Sequence, residues 1–185
     1  MIPVLIAFLV LSCAPLHRAE RECPGTEDLM NIYASGKTPK EFRIYGKVRY
    51  GPMKVPFLIA RFDDIYTVKV PRRDVKVLDG KVCLRDRCYL LPLPPENLVF
   101  GGVLRGGERE FCDGGVKVFS ERGIVYERTV IFEGKKLREM RIKNLKNGKV
   151  IRVIFGERDP RGYFREIKIR TGGTGFKLLI EEVEI

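Results

Sequence analysis

Five cysteines and one histidine are the side chains here best suited to nucleophilic or metal chemistry. The histidine is His17, which lies close to the N-terminus and shortly after Cys13. A Ser-His or Cys-His nucleophile pair inside the body of the chain is therefore excluded. A His-rich metal cluster is excluded on the same ground. Gly101-Gly102 and Gly114-Gly115 lack the following Lys-Ser/Thr of a phosphate-cradling loop. Carboxylates are numerous, but they fall in turns and on strand faces, where solvated charge is their usual role. Catalysis by two of them needs a fixed separation that no motif here encodes. The residues argue against an enzyme and call for no cofactor.

Four cysteines follow Cys13: Cys23, Cys83, Cys88 and Cys112. Four cysteines allow three pairings. Cys83 and Cys88 flank Leu84-Arg85-Asp86-Arg87, so a bridge across a tight turn is expected there. That leaves Cys23 with Cys112. A four-cysteine zinc site is the rival, but zinc motifs usually show two close pairs, and Cys23 and Cys112 are each isolated. Unpaired core cysteines are the third reading, for a chain that stays in a reducing compartment.

The compartment is set by the first residues. Ile2 to Leu11 is uncharged and apolar apart from Pro3. It is too short to span a bilayer as a helix and suits the apolar region of a secretory signal. Small Ser12 supplies a cleavage point. Val10-Leu11-Ser12-Cys13 resembles the lipobox of bacterial lipoproteins, in which the cysteine is lipidated and becomes the new N-terminus. Leu11 is larger than the residue usual there, and no Lys or Arg precedes the apolar run. The resemblance implies a signal over 1–12, lipidation at Cys13, a tether over 13–25 and a cell-envelope location. Ala14 takes the place of the aspartate that retains some lipoproteins at the inner membrane. That points to the periplasmic face of the outer membrane. A plain secretory signal is the alternative.

The formal net charge is +11, with 32% charged and 44% hydrophobic residues, a composition of folded chains. Absent glutamine and tryptophan beside abundant Lys, Arg and Glu resembles proteins of thermophiles. Outside the cytoplasm the counter-charge is anionic lipid head groups rather than nucleic acid. The cations are dispersed: Arg43, Lys47 and Arg49 alternate with apolar residues, as on the solvated face of a sheet.

The remaining elements follow from periodicity. Thr26-Glu27-Asp28 opens a short helix through Ala34. From Phe42 the period is two. Strands are expected over 42–50, 55–62, 65–70, 74–78, 81–84, 88–91, 116–120, 124–133, 137–143, 150–157, 163–170 and 176–184. Asp79-Gly80 and Asn147-Gly148 are hairpin signals. Glu96 to Arg105 reads as a helix with Pro95 in its first turn. The chain is thus mainly β (α+β). It forms one domain over 26–185: a single curled antiparallel sheet of about ten to twelve strands with a few covering helices.

The lipobox, the short helix and the strand Phe42-Arg-Ile-Tyr-Gly-Lys-Val-Arg-Tyr50 come in the order of the bacterial lipoprotein carrier family, LolA and LolB. The mid-chain Leu-Pro-Leu-Pro-Pro-Glu-Asn-Leu and the closing Gly175-Phe-Lys-Leu-Leu-Ile180 fit the same order. The resemblance implies an open half-barrel whose apolar concave face holds the acyl chains of lipoproteins in transit. The membrane-anchored member inserts cargo with a leucine in a projecting loop. The matching Pro71-Arg72-Arg73-Asp74 has no apolar tip.

Ile44, Val48, Phe57, Ile59, Ile124 and Tyr126 are the expected apolar lining, with Leu98, Phe100 and Leu104 closing it. Periodicity marks the buried side but does not distinguish a filled core from a cavity. Two functions compete. One is a membrane-anchored carrier of acyl chains or acylated protein. The other is a structural or assembly lipoprotein that binds another envelope protein. Cys13→Ala should release the protein from the membrane fraction as a soluble or uncleaved form. Unchanged membrane association with normal processing would rule out the lipobox.

Overall fold

Alternation along Phe42 to Gly46 decides the architecture: Phe42, Ile44 and Gly46 are buried, whereas Arg43 is exposed. One face of each strand turns inward and the other stays wet. The computed structural model describes residues 22–63, 65–71, 73–78, 81–84, 87–90 and 93–185. The signal, Cys13, most of the tether with His17, Arg72 and the turns at Asp79-Gly80 and Arg85-Asp86 lie outside the described residues.

Helix α1 is Thr26–Tyr33, followed by a single 3-10 turn at Ser35–Lys37. The strands then run β1 Phe42–Tyr50, β2 Met53–Phe62, β3 Ile65–Val70, β4 Arg73–Leu78, β5 Lys81–Leu84 and β6 Arg87–Leu90. Helix α2 is Pro95–Phe100. After it come β7 Arg109–Asp113, β8 Val116–Arg122, β9 Tyr126–Glu133, β10 Lys136–Asn144, β11 Val150–Phe155, β12 Glu166–Thr171 and β13 Thr174–Glu184. All thirteen form one antiparallel sheet, in the order β6-β5-β4-β3-β2-β1-β13-β12-β11-β10-β9-β8-β7. The last strand joins the two halves by pairing with the first. The sheet does not close: β6 and β7 are its edges.

The core lies on the concave face, under the helices. Leu29 and Tyr33 of α1 and Val99 and Phe100 of α2 are buried. Tyr33 packs on Phe132 of β9 with centroids 5.1 Å apart, and Phe100 on Phe42 of β1 at 5.7 Å. Burying each such side chain fully is worth about 1.5–3 kcal/mol, so these contacts outweigh any intrinsic preference of short helices. At Gly46 the sheet and core press closest, beside a β-bulge between Tyr45 and Gly46. A Cβ there would run into the Leu179 carbonyl oxygen and lie 2.9 Å from the Phe57 ring, so only glycine fits.

The sheet has thirteen strands where about ten to twelve were expected, and the structure corrects the sequence reading at several elements. The mid-chain helix ends at Phe100, because Gly101 adopts a left-handed φ of 76°. Leu104 is therefore not helical: it forms a parallel bridge with Ala34. Strand β9 starts at Tyr126, since the Gly123 N–H bonds the Tyr126 carbonyl at 2.9 Å and loops Ile124 out. Strand β12 starts at Glu166. Tyr163 and Phe164 drop into the core instead, and the Phe164 N–H bonds the Val99 carbonyl at 2.8 Å. Strand β7 escaped the periodicity argument because all five of its residues are exposed.

Cys23 and Cys112 form a disulfide, with Cα atoms 6.3 Å apart and a sequence separation of 89. The bridge joins the segment before α1 to the edge strand β7. Cys83 and Cys88 are Cα partners across β5 and β6, the register a cross-strand bridge needs; their side chains lie outside the described residues. Peptide mapping without reduction should recover Cys23 linked to Cys112. Cys23→Ser should cost about 2–5 kcal/mol of stability, read as a lower urea midpoint, since the bridge closes a long loop.

Candidate functional site

The inner face is built by register. Ile44 of β1 stands opposite Ile59 of β2, and Val48 opposite both Val55 of β2 and Leu178 of β13. Of the expected lining, Ile44, Phe57, Phe100 and Leu104 are buried together in the core. Val48, Ile59, Leu98 and Tyr126 are half-buried and pack against its margin. Ile124 is 96% exposed and contributes nothing to it.

Burial fades in one direction. Toward the turns at Gly51-Pro52 and Gly172-Gly173, inner-face residues pass from buried Ile44 to half-buried Val48, and from buried Ile180 to half-buried Leu178 and Phe176. Buried Ile167 likewise gives way to half-buried Ile169, and Val153 to Ile151. Val55 next to Val48 is 38% exposed. The helices thus fill one end of the concave face and leave a strip of apolar side chains partly open at the other. The sequence signal for Leu178, Ile169 and Ile151 was the same alternation that marked Val48, but nothing local set them apart from ordinary core.

Polar groups hold the helices in place. Glu96 in the first turn of α2 is buried and accepts hydrogen bonds from Arg61 of β2, at 2.9 Å, and from the Tyr66 hydroxyl of β3. Buried Arg128 of β9 donates to the Val103 carbonyl, to Glu108 at 2.7 Å and to Glu121 at 2.8 Å. It pins the chain after α2 to the sheet. Removing one partner of such a buried group typically costs about 3–5 kcal/mol. Lys117 of β8 donates to the Pro24 carbonyl at 3.2 Å and to the Thr26 hydroxyl at 2.6 Å. Thr26, the first residue of α1, makes no capping hydrogen bond and donates to Glu110. That hydroxyl, and then Lys117, hold the Glu110 carboxyl below its usual range.

Other carboxylates are tied to arginines. Glu139 of β10 is held at about 2, chiefly by its hydrogen bond from Arg152 and then by Arg141, with burial opposing. Asp159, between β11 and β12, is held at about 2, first by the Arg161 backbone N–H and then by the Arg165 and Arg161 side chains. Both arrangements neutralise charge, and neither leaves a base facing an open cleft. Beside α2 a recess of about 220 Å³ is lined by Ile32, Lys37, Thr38, Phe100, Arg158 and Arg161. That is below the range of about 300–1,000 Å³ usual for small-molecule sites. Among the described residues, no group of three or more His, Cys, Asp or Glu side chains is placed to hold a metal ion. No helix among them is long and apolar enough to cross a membrane.

No family model matches this chain, and no curated protein sequence matches it.

The carboxyl groups of Glu139 and Asp159 are depressed from 4.5 and 3.8. A depressed carboxyl adds stability that is complete above its unfolded pKa and is lost as pH falls through the folded one. The melting temperature should therefore decline between about pH 4.5 and pH 2. Calorimetry of Glu139→Gln should show a lower plateau at pH 6 and a shallower decline.

Proposed function

We propose that this protein is a lipid-tethered envelope protein of the LolA/LolB kind, whose sheet is an open half-barrel that takes up acyl chains on its concave face. The burial gradient along the inner face carries this reading. Two short helices cover one end, and apolar Val48, Val55, Ile151, Ile169 and Leu178 continue beyond them with only partial cover. Each methylene buried there is worth about 0.8 kcal/mol, so a handful of groups is enough to hold a chain in place. The lipobox at Cys13 would keep the domain beside the membrane that supplies such chains.

One observation favours the alternative, a structural lipoprotein that binds another envelope protein. The helix-covered end is fully packed, with Phe132, Tyr163 and Phe164 each below 2% exposed, while Phe62 and Ile65 at the β2–β3 turn are 46% and 72% exposed. An exposed apolar pair at a hairpin tip suits a protein contact.

Native mass spectrometry of the full chain extracted from membranes separates the two. The carrier should retain a lipid or acylated peptide. Leu178→Asn should reduce that retention about tenfold, the weight of one or two methylene contacts, with little loss of thermal stability. A chain that carries no acyl adduct, and that loses its envelope partner on Phe62→Ser, is the structural protein instead.

A further inference from the structure

The outer face of the same end has an unusual charge order. In direct cross-strand register stand Lys54 of β2, Arg49 of β1, Lys177 of β13 and Lys168 of β12. The neighbouring row places Arg170 of β12 opposite Arg152 of β11, and Arg152 opposite Arg141 of β10. Like charges directly opposite one another destabilise a sheet. Only two carboxylates lie among them. Glu166 is shared by Lys168 at 3.0 Å and Lys177 at 3.5 Å, and Glu139 by Arg141 and Arg152 at 2.7 Å each. Among the described residues, no carboxylate pairs with Lys54, Arg49 or Arg170.

Further from the turns the same strands are different. There Arg43 pairs with Glu184 and Lys47 with Glu181, cation for anion across β1 and β13. The excess of cations is therefore local and does not follow from net charge alone. At its centre Gly175, which has no side chain, stands opposite Arg170. A surface recess of about 320 Å³ there is lined by Arg49, Lys168, Arg170, Gly175 and Lys177.

We propose that this face docks on a membrane surface, with the recess taking the phosphate of an anionic lipid head group. Cations from three adjacent strands, β1, β13 and β12, line a space that can take a phosphate, and guanidinium groups bind phosphate through paired hydrogen bonds. A bound phosphate turns the repulsion along the row into attraction. The inference rests on the envelope location proposed above, but not on acyl binding.

The test uses the full chain carrying Cys13→Ser, so that no lipid anchor contributes, and flotation with vesicles. Partition onto vesicles of 30% phosphatidylglycerol in phosphatidylcholine should exceed that onto pure phosphatidylcholine by at least about tenfold, and fall with salt. Arg49→Glu with Arg170→Glu should abolish this preference. Lys37→Glu with Lys136→Glu, the same charge change elsewhere, should retain most of it. Arg49→Gln with Arg170→Gln should give an intermediate loss if the reversed pair folds poorly. Equal partition onto both vesicles, or equal losses from the two reversed pairs, would overturn the proposal. Loss of acyl adducts in Leu178→Asn with the lipid preference intact would bear on the concave face alone. Charge reversal that keeps the adducts would bear on the outer face alone.

Discussion

Two helices of eight and six residues have to cover the concave face of a thirteen-stranded sheet, and neither is long enough to persist by itself. The rest of the structure answers that constraint. The N-terminal side of α1 is fixed by the Cys23–Cys112 bridge and by Lys117, which holds the Pro24 carbonyl and the Thr26 hydroxyl. Helix α2 is fixed at its first turn through Glu96 to Arg61 and Tyr66. The chain that leaves it is fixed by Arg128. Each tie is a polar or covalent link between a short element and a long strand, placed where apolar contact alone would leave the element free to fray.

Much of this was legible in the sequence because a half-buried strand writes its own period. Phe42 to Tyr50, Ile65 to Val70 and Lys81 to Leu84 were bounded correctly from alternation and turn residues. The failures share a physical cause: tertiary contacts overrode local pattern. Arg109–Asp113 has no buried face and therefore no period, so its strand appears only when β8 pairs with it. Gly101-Gly102 carried the signal that ended α2, yet the apolar residues beyond it suggested another turn of helix. Those residues are apolar because Val103 and Leu104 are fully buried in non-helical chain, not because they are helical. Ile124 looked like lining from its place in an alternating run, but a turn at Gly123 displaces it.

The site was legible in part. Ile44 and Phe57 were assigned to the inward face, and they lie there. Which inward residues stay partly open depends on how far the helices reach, and sequence period carries no information on reach. The outer face shows the converse. Its cations looked dispersed along the chain, because neighbours such as Arg49 and Lys177 are far apart in sequence and adjacent only through the pairing of first strand with last. The inner and outer faces thus become amphipathic at the same end, one by loss of cover and the other by loss of anions.

The disulfide also decides where mechanical load enters the molecule. Cys23 is the last cysteine before α1, and Cys112 lies inside an edge strand held to β8 over five residue pairs. A pull on the chain ahead of Cys23 is carried across the sulfur atoms into β7. It does not travel along α1, whose two turns would otherwise peel from the core first. The short helix is thereby taken out of the line of force, and the domain resists tension with its sheet.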